Sequence, residues 1–245
     1  MKEAFFDTPR CREFVQLDEF ARLLDESTIL RFRRQLEKLP LQILVTVNEL
    51  LTQRDLPLKT GTVVAAPWIA TSTFTKNKGK ARDPDMHSSK KGNQWYFGMT
   101  AHIGADAESG LVHTVHGASD HASDISEANT LLQGEESVAF GDVGYQGIEK
   151  RLDAKVDVSW YVAMRRSKRK ALDKDTEADA TIDQAEKLKA GMGAKVEHPF
   201  RVIKRQFGFG KVRYRSLGKN TAQLFTLFAL SNLWMVRGKL TVARA

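Results

Sequence analysis

The chain has 245 residues, 42% hydrophobic and 28% charged, with a formal net charge of +8. That apolar share builds a real core, in one large domain or a small one beside a medium one, and the basic balance points to nucleic acid or another anionic surface as partner. One cysteine, Cys11, excludes an internal disulfide framework and fits a reducing compartment.

Residues 1–58 read as helical. The opening "MKEAFFDTPRCREF" is charged too often for a secretory signal, and nothing near Cys11 suggests a catalytic thiol. In "DESTILRFRRQLEKL", Ser27 or Thr28 is the expected cap, with Ile29, Leu30, Phe32, Leu36 and Leu39 on the apolar face. "LQILVTVNELL" continues in kind, and Pro57 and Gly61 end it. From residue 59 the texture changes. "GTVVAAPWIA" predicts a strand, followed by the long basic loop "TKNKGKARDPDMHSSKKGN". "QWYFGMTAHIGAD" and "GLVHTVHGAS" read as two further strands joined by the turn "AESG".

"DISEANTLLQG" predicts a helix ending at Gly134, and "SVAFGD" a strand. "YQGIEKRLDA" reads as a short helix, "DVSWYVAM" as a strand, and "RRSKRK" (165–170) as either a solvated loop or a nucleic-acid contact. A polar helix is expected over 175–190, then two more in "VEHPFRVIKRQFG" and "KNTAQLFTLFALSNLWMVRGK". The apolar stretch 221–236 is shorter than a membrane span and contains Gln223, Ser231 and Asn232, so it reads as a buried helix. Three antiparallel strands followed by alternating helices and strands predict an α/β fold, a mixed sheet flanked by helices, in a soluble cytoplasmic protein.

Two acids draw attention. Asp142 ends the strand "SVAFGD" at a run of glycines, as a turn residue or as a metal ligand held over a sheet edge. In "VEHPFRVIKRQFG", Val196, Phe200, Ile203 and Phe207 define an apolar face, with Glu197, Arg201 and Lys204 beside it. Pro199 suits a first turn, which would place Glu197 at a helix start, where the helix dipole favours a carboxylate. The plain alternative is an exposed Glu–Arg pair. From Lys195 to Lys219 there are eight Lys or Arg residues and one acid, Glu197. Such a cluster suits phosphate handling: bases neutralise a nucleic-acid backbone while an acid holds a divalent ion. Two-metal phosphodiester chemistry needs several carboxylates converging on Mg²⁺. Asp142 and Glu197 can supply two; the first strand, the natural source of a third, has none.

The blocks "TKNKGKARDPDMHSSKKGNQWYFGMTAHIGAD", "GLVHTVHG", "VAFGDVGYQGIEKR" and "VEHPFRVIKRQFGFGKVRYRSLGKNTAQLFTLFALSNLW" closely resemble the DDE transposases of bacterial insertion sequences, across roughly residues 20–240. The resemblance implies a ribonuclease-H-like mixed five-stranded sheet flanked by helices in residues 59–245, preceded by a helical DNA-end-binding part, incomplete here, in residues 1–58. It implies two Mg²⁺ ions, replaceable by Mn²⁺, held by Asp, Asp and Glu. It also implies double-stranded DNA, both element ends and target, as substrate, cleaved and joined by a homodimer assembled on that DNA. Carried over by position, the second Asp is Asp142 and the Glu is Glu197. Lys204 matches the lysine of the family's Tyr-x2-Arg-x3-Glu-x6-Lys signature, a contact to DNA near the cleaved strand. With it, Arg201, Arg205, Lys211, Arg213 and Arg215 are the expected DNA contacts.

Departures from the family pattern matter as much. The first Asp falls on Ala65 in "GTVVAAP", and the signature's Tyr and Arg fall on Ala190 and Gly193. Losing one of three metal carboxylates predicts a catalytically impaired copy. Asp83, Asp85, Asp106 and Asp124 are possible substitutes, each more simply read as a loop or cap residue. The rival reading is a DNA-binding protein without chemistry, or an inhibitor that assembles with an intact transposase; a decaying gene product is the third. Among the other residues that invite a site, His113 and His116 have opposite parity on one strand and should face opposite ways, against a zinc site with His102. His87 and His121 sit in loops without Cys partners. Trp95, Trp160 and Trp234 read as core.

Overall fold

The computed structural model describes residues 25–36, 39–54, 56, 61–73, 79–91, 93–119, 124–151 and 157–242. Cys11, His121 and residues 75–78 and 92 of the basic loop lie outside them. The chain divides into two compact units, residues 1–40 and 41–245. The first contributes helix α1, Glu26–Leu36. Its cap is Asp25, rather than Ser27 or Thr28: Oδ1 accepts from the Glu26 amide at 2.8 Å and Oδ2 from the Ser27 hydroxyl at 2.8 Å. A carboxylate just before the first turn serves amides that lack helical partners.

The second unit is built on a seven-stranded mixed sheet. After α2 (Pro40–Thr52) come β1 (Thr62–Ala65), β2 (Trp68–Ala70), β3 (His87–Lys91), β4 (Gln94–Asp106) and β5 (Val112–Ser119). Then follow α3 (Asp124–Glu127), β6 (Val138–Gly141), β7 (Ser159–Val162), α4 (Arg166–Lys170), α5 (Glu177–Arg205) and α6 (Leu217–Val242). The five expected strands are all present, in the order β5-β4-β1-β6-β7, with β4 antiparallel to its neighbours and β6 parallel to both of its own. The two additional strands are short. Proline cannot donate to a ladder, so the expected first strand divides at Ala66–Pro67 into β1 and β2. Pairing with β4 resumes in the same register, from Ala65 opposite Ile103 to Trp68 opposite Thr100. β3 arises inside the basic loop and pairs with the outer end of β4.

Alternation along β1 sends successive side chains to opposite faces. Val63 joins the core beneath α5 and α6, with Ile103, Phe200, Ile203, Leu224 and Phe228; Val64 joins Leu131, Ala139, Tyr145, Ile148 and Trp160 on the other face.

Several local expectations are corrected. The helix expected at 124–134 is only α3 followed by a 3₁₀ turn at Ala128–Leu131, and the described part of "YQGIEKRLDA", residues 145–151, holds the end of a 3₁₀ turn at Val143–Tyr145 and another at Ile148–Lys150. "RRSKRK" is not a loop throughout, because Arg166–Lys170 is helical. Trp160 is core as expected, but Trp95 is 69% exposed and Trp234 is 36% exposed. β4 outruns the layers that cover its buried half, so its first residues stay in solvent.

The largest correction concerns α5. The two helices expected over 175–208 are one helix of 29 residues, with Pro199 inside it. Proline removes the bond to the carbonyl four residues back, here that of Lys195. The turn after β4 packs there instead: a Cβ on Gly110, whose φ is +71°, would stand 3.2 Å from that carbonyl oxygen. Lys195 Nζ donates back to the carbonyls of Ala107 and Glu108 at 2.9 and 3.2 Å.

His113 and His116 do face opposite ways: His113 is buried and His116 exposed. Among the described residues no group of three or more His, Cys, Asp or Glu side chains could hold a metal ion. Burial pushes His113 down to about 4, against the pull of Glu136 and Asp106. His102, fully buried with neither ring nitrogen hydrogen-bonded, is also pushed down to about 4, first by burial and then by His116. Both therefore bind fewer protons folded than unfolded between about pH 6.5 and 4, so stability rises with pH across that window. The unfolding free energy from denaturant titration should fall on acidification from pH 7 to 4.5, by several kcal/mol in total. A flat profile would mean that both imidazoles take up protons without disturbing the sheet.

Candidate active site

β1 and β6 run parallel, with Thr62 opposite Ala139 and Val63 opposite Phe140. Continued two residues past that pairing, the register would bring Ala65 beside Asp142 at the carboxyl ends, at about 5 Å by strand spacing, and both residues line one cleft. Ala65 and Phe140 both pack on the core under α5, as Val63 does. The side chain at 65 is thus directed to the α5 side of the sheet.

Asp142 follows the last residue of β6. Its Oδ1 accepts from the Gly144 amide at 2.8 Å and opens the 3₁₀ turn that follows. The turn reading of Asp142 is therefore correct as local structure, and the carboxylate is also exposed at the sheet edge. The loop behind it is braced: Gln146 Nε2 donates to the Ala163 carbonyl at 3.0 Å, and Arg165 Nε to Gln146 Oε1 at 2.9 Å.

α5 crosses over β1 and buries Val196, Phe200 and Ile203 against the sheet. Glu197, one residue beyond Val196, is left exposed toward the strand ends. It sits deep inside the helix, so the expected dipole effect at a helix start does not apply. The exposed Glu–Arg pair does not form either, since Glu197 has no ion pair among the described residues.

A cleft of about 460 Å³ joins these pieces. Ala65, Ala66 and Pro67 form one wall and Asp142 its edge; Glu197, Arg201, Lys204 and Arg205 line the helix side, over Val196 and Phe200. Five of the eight site residues expected from the sequence meet here. Lys211, Arg213 and Arg215 do not line it; they are exposed on the segment between α5 and α6, where Arg213 donates to the Gly208 carbonyl at 3.0 Å. Ala190 and Gly193, where the signature's Tyr and Arg fall, lie on the same helix stripe as Glu197 and Lys204. A Cβ on Gly193 would meet nothing within 4 Å, so a larger side chain has room.

Three of the four possible substitute acids are engaged elsewhere. Asp83 and Asp85 cap the start of α6, accepting from the Ser216 and Leu217 amides at 2.7 and 3.1 Å. Asp106 is buried at the far end of β1, opposite Thr62, and holds the turn through Ser109 N and Oγ. The fourth, Asp124, lies close to the cleft. A Cβ on Gly144 would stand 2.6 Å from its Oδ2 and 3.0 Å from Asp142 Oδ1, so the two carboxylates are neighbours. Sequence reasoning took Asp124 for a cap, and nothing local marks its closeness to Asp142.

The donor chemistry suits a hard divalent cation in part. Two exposed carboxylates on facing sides of one cleft, completed by water, fit one Mg²⁺ or Mn²⁺. A bridged pair of ions needs a carboxylate at the first-strand position, and Ala65 offers a methyl group there.

A central strand β1 with antiparallel β4 on one side and parallel β6 on the other, β5 and β7 outermost, and one acid at the tip of β6 with another on the helix above it, is the arrangement of a ribonuclease-H-like domain. The family model for the transposase DDE domain matches residues 69–233, more than half of the chain, and the chain belongs to that family. The match begins just past Ala65. No solved structure matches the chain.

Proposed function

We propose that this chain is an insertion-sequence transposase whose strand-cleaving centre has lost one metal carboxylate. The observation that carries this reading is the single cleft in which Asp142 and Glu197 face each other beside Ala65, with Arg201, Lys204 and Arg205 on its rim. In this reading Asp142 and Glu197 hold divalent metal, and the metal when bound supplies Lewis-acid polarisation of a phosphodiester. The three cations on the rim neutralise the DNA backbone and set its position over the two carboxylates. Lys211, Arg213 and Arg215 extend the basic surface beyond the cleft. Residues 1–58 serve in binding the element's ends, and the protein works as a homodimer on duplex DNA in the bacterial cytoplasm. Among the described residues no helix is long and apolar enough to cross a membrane.

Ala65 gives specific support to a second reading, a DNA-binding protein that does not cleave, or one that assembles with an intact transposase and blocks it. The test is plasmid nicking by the purified chain in Mg²⁺ or Mn²⁺, together with binding to linear duplex. The expected result is binding that falls with salt and no nicking above background. Nicking by the unaltered chain that disappears in Asp142→Ala would show the centre to be complete, with Asp124 the first acid to suspect. Absence of duplex binding at low salt would sink both readings.

A further inference from the structure

β7 runs parallel to β6, with Val162 opposite Gly141, so the chain leaves β7 at the same end of the sheet as Asp142. Four residues later α4 begins. It packs beside the first half of α5 around a cleft of about 740 Å³, separate from the one that holds Glu197. Arg166, Arg169 and Lys170 from α4, Lys174 from the connection and Lys187 from α5 supply five cations to its lining. Asp183 is its one acid.

Asp183 is almost wholly buried, and its carboxylate organises the cations around it. Arg169 Nε lies 2.8 Å from Oδ1, with Lys187 Nζ at 3.2 Å and Lys174 Nζ at 3.7 Å from Oδ2. These contacts hold the Asp183 carboxyl below the ordinary carboxylate range, the hydrogen bond from Arg169 first among them. Both lysines nevertheless remain about two-thirds exposed. Arg166 and Lys170 are exposed and have no ion pair among the described residues. Asp173, before α5, and Asp179, in its first turn, do not line the cleft: they accept from the backbone amides of Asp175 and Asp173.

A network meant only to pin α4 to α5 would need Arg169 and Asp183. It would not need four further cations on one concave surface. Such a surface concentrates positive field and draws a polyanion, while the buried acid fixes the geometry of three of its donors in advance. Lys187 and Lys204 lie on the same helix, about 25 Å apart along its axis by helical rise. That separation is roughly seven base pairs of duplex. Asp142 stands on β6, between the strand that feeds α4 and the strand under Glu197.

We propose that the α4–α5 cleft is a second DNA-backbone site, which grips the duplex on the opposite side of Asp142 from Lys204. The proposal rests on the reading that duplex DNA is the substrate. One duplex crossing the carboxyl ends of β1, β6 and β7 is then held on both flanks, with the carboxylates between the grips.

The test uses the full chain and labelled DNA. On a duplex of about 20 base pairs, R166E/K170E should bind about tenfold more weakly than the unaltered chain near 0.1 M salt, with the slope of log affinity against log salt reduced by about two. K174Q/K187Q, which removes two exposed charges and leaves Asp183 its closest partner, Arg169, should lose affinity in the same direction, with its melting curve compared to the unaltered chain to show that it is folded. On a hairpin of about six base pairs, too short to span both grips, the loss should shrink to near nothing while K204E still weakens binding. Unchanged affinity and slope in both double variants, with K204E weakened, would overturn the second site and leave the DNA reading standing. A loss seen with duplex RNA and not with duplex DNA would overturn it in favour of another partner. If the unaltered chain binds no duplex DNA, the functional reading fails and this proposal falls with it.

Discussion

Ala65→Asp is expected to turn a chain that does not nick plasmid DNA into one that does, in Mg²⁺ or Mn²⁺. The register decides where the new carboxylate goes. The β1–β6 register, continued two residues past Val63 and Phe140, leads residue 65 toward Asp142, and parity directs its side chain to the α5 side, where Asp142 and Glu197 line the same cleft. Position 65 is half-buried and opens on that cleft, so an aspartate there is solvated and need not displace the core. A missing metal ligand costs several kcal/mol of transition-state stabilisation, so restoring it should raise the rate by about 10³-fold or more. Two controls separate a repaired centre from a contaminant. Asp142→Ala in the Ala65→Asp background must silence nicking, and Mn²⁺ must raise the melting temperature of Ala65→Asp more than that of the unaltered chain. Tighter Mn²⁺ binding without nicking would locate the remaining defect elsewhere on the helix, with Gly193→Arg the next substitution, since that position is open. No gain in either readout would mean that residue 65 does not face the metal carboxylates, against the register.

How much of this was legible differs from residue to residue. The sheet was readable because strand alternation and Gly punctuation are local signals: "SVAFGD" presents its acid at a strand tip in sequence and in space alike. The meeting of Asp142 and Glu197 was readable only through the family pattern, because no spacing rule connects a strand tip to a helix 55 residues later. α5 was misread for a physical reason. Gly191, Gly193 and Pro199 each weaken a helix by about 1–3 kcal/mol taken alone. The helix continues through them because Val196, Phe200 and Ile203 bury a continuous stripe on the sheet, and packing outweighs propensity. Its continuity matters for the site, since a break at 191–195 would separate the basic cleft around Lys187 from the carboxylate at 197. The role of Asp83 and Asp85 was not legible at all: their partners, Ser216 and Leu217, lie more than 130 residues away. Trp95 was misjudged because aromatic character indicates burial only where another layer covers the strand.

Asn232→Ala is expected to destabilise the fold by about 3 kcal/mol, a drop of roughly 6–12 °C in melting temperature for a domain of this size. In sequence, Asn232 only argued that the apolar run 221–236 is not a membrane span. In the structure it is fully buried, and its amide pairs with β5 much as a neighbouring strand would. Oδ1 accepts from the Val112 amide at 2.9 Å, while Nδ2 donates to the Val112 carbonyl at 2.7 Å and to Asn48 Oδ1 at 2.8 Å. Asn48 in turn donates to the same carbonyl at 3.1 Å. One side chain therefore ties α6, β5 and α2 together. Truncation strands the buried Val112 amide, and a buried donor without an acceptor costs more than the net worth of its bond. Asn48→Ala should be milder, about 1 kcal/mol, because the Val112 carbonyl keeps Asn232. The two substitutions should be non-additive, since each removes the shared Asn48–Asn232 bond. Calorimetry of the two single variants and the double variant checks this. Equal, additive losses would show that the two asparagines act separately.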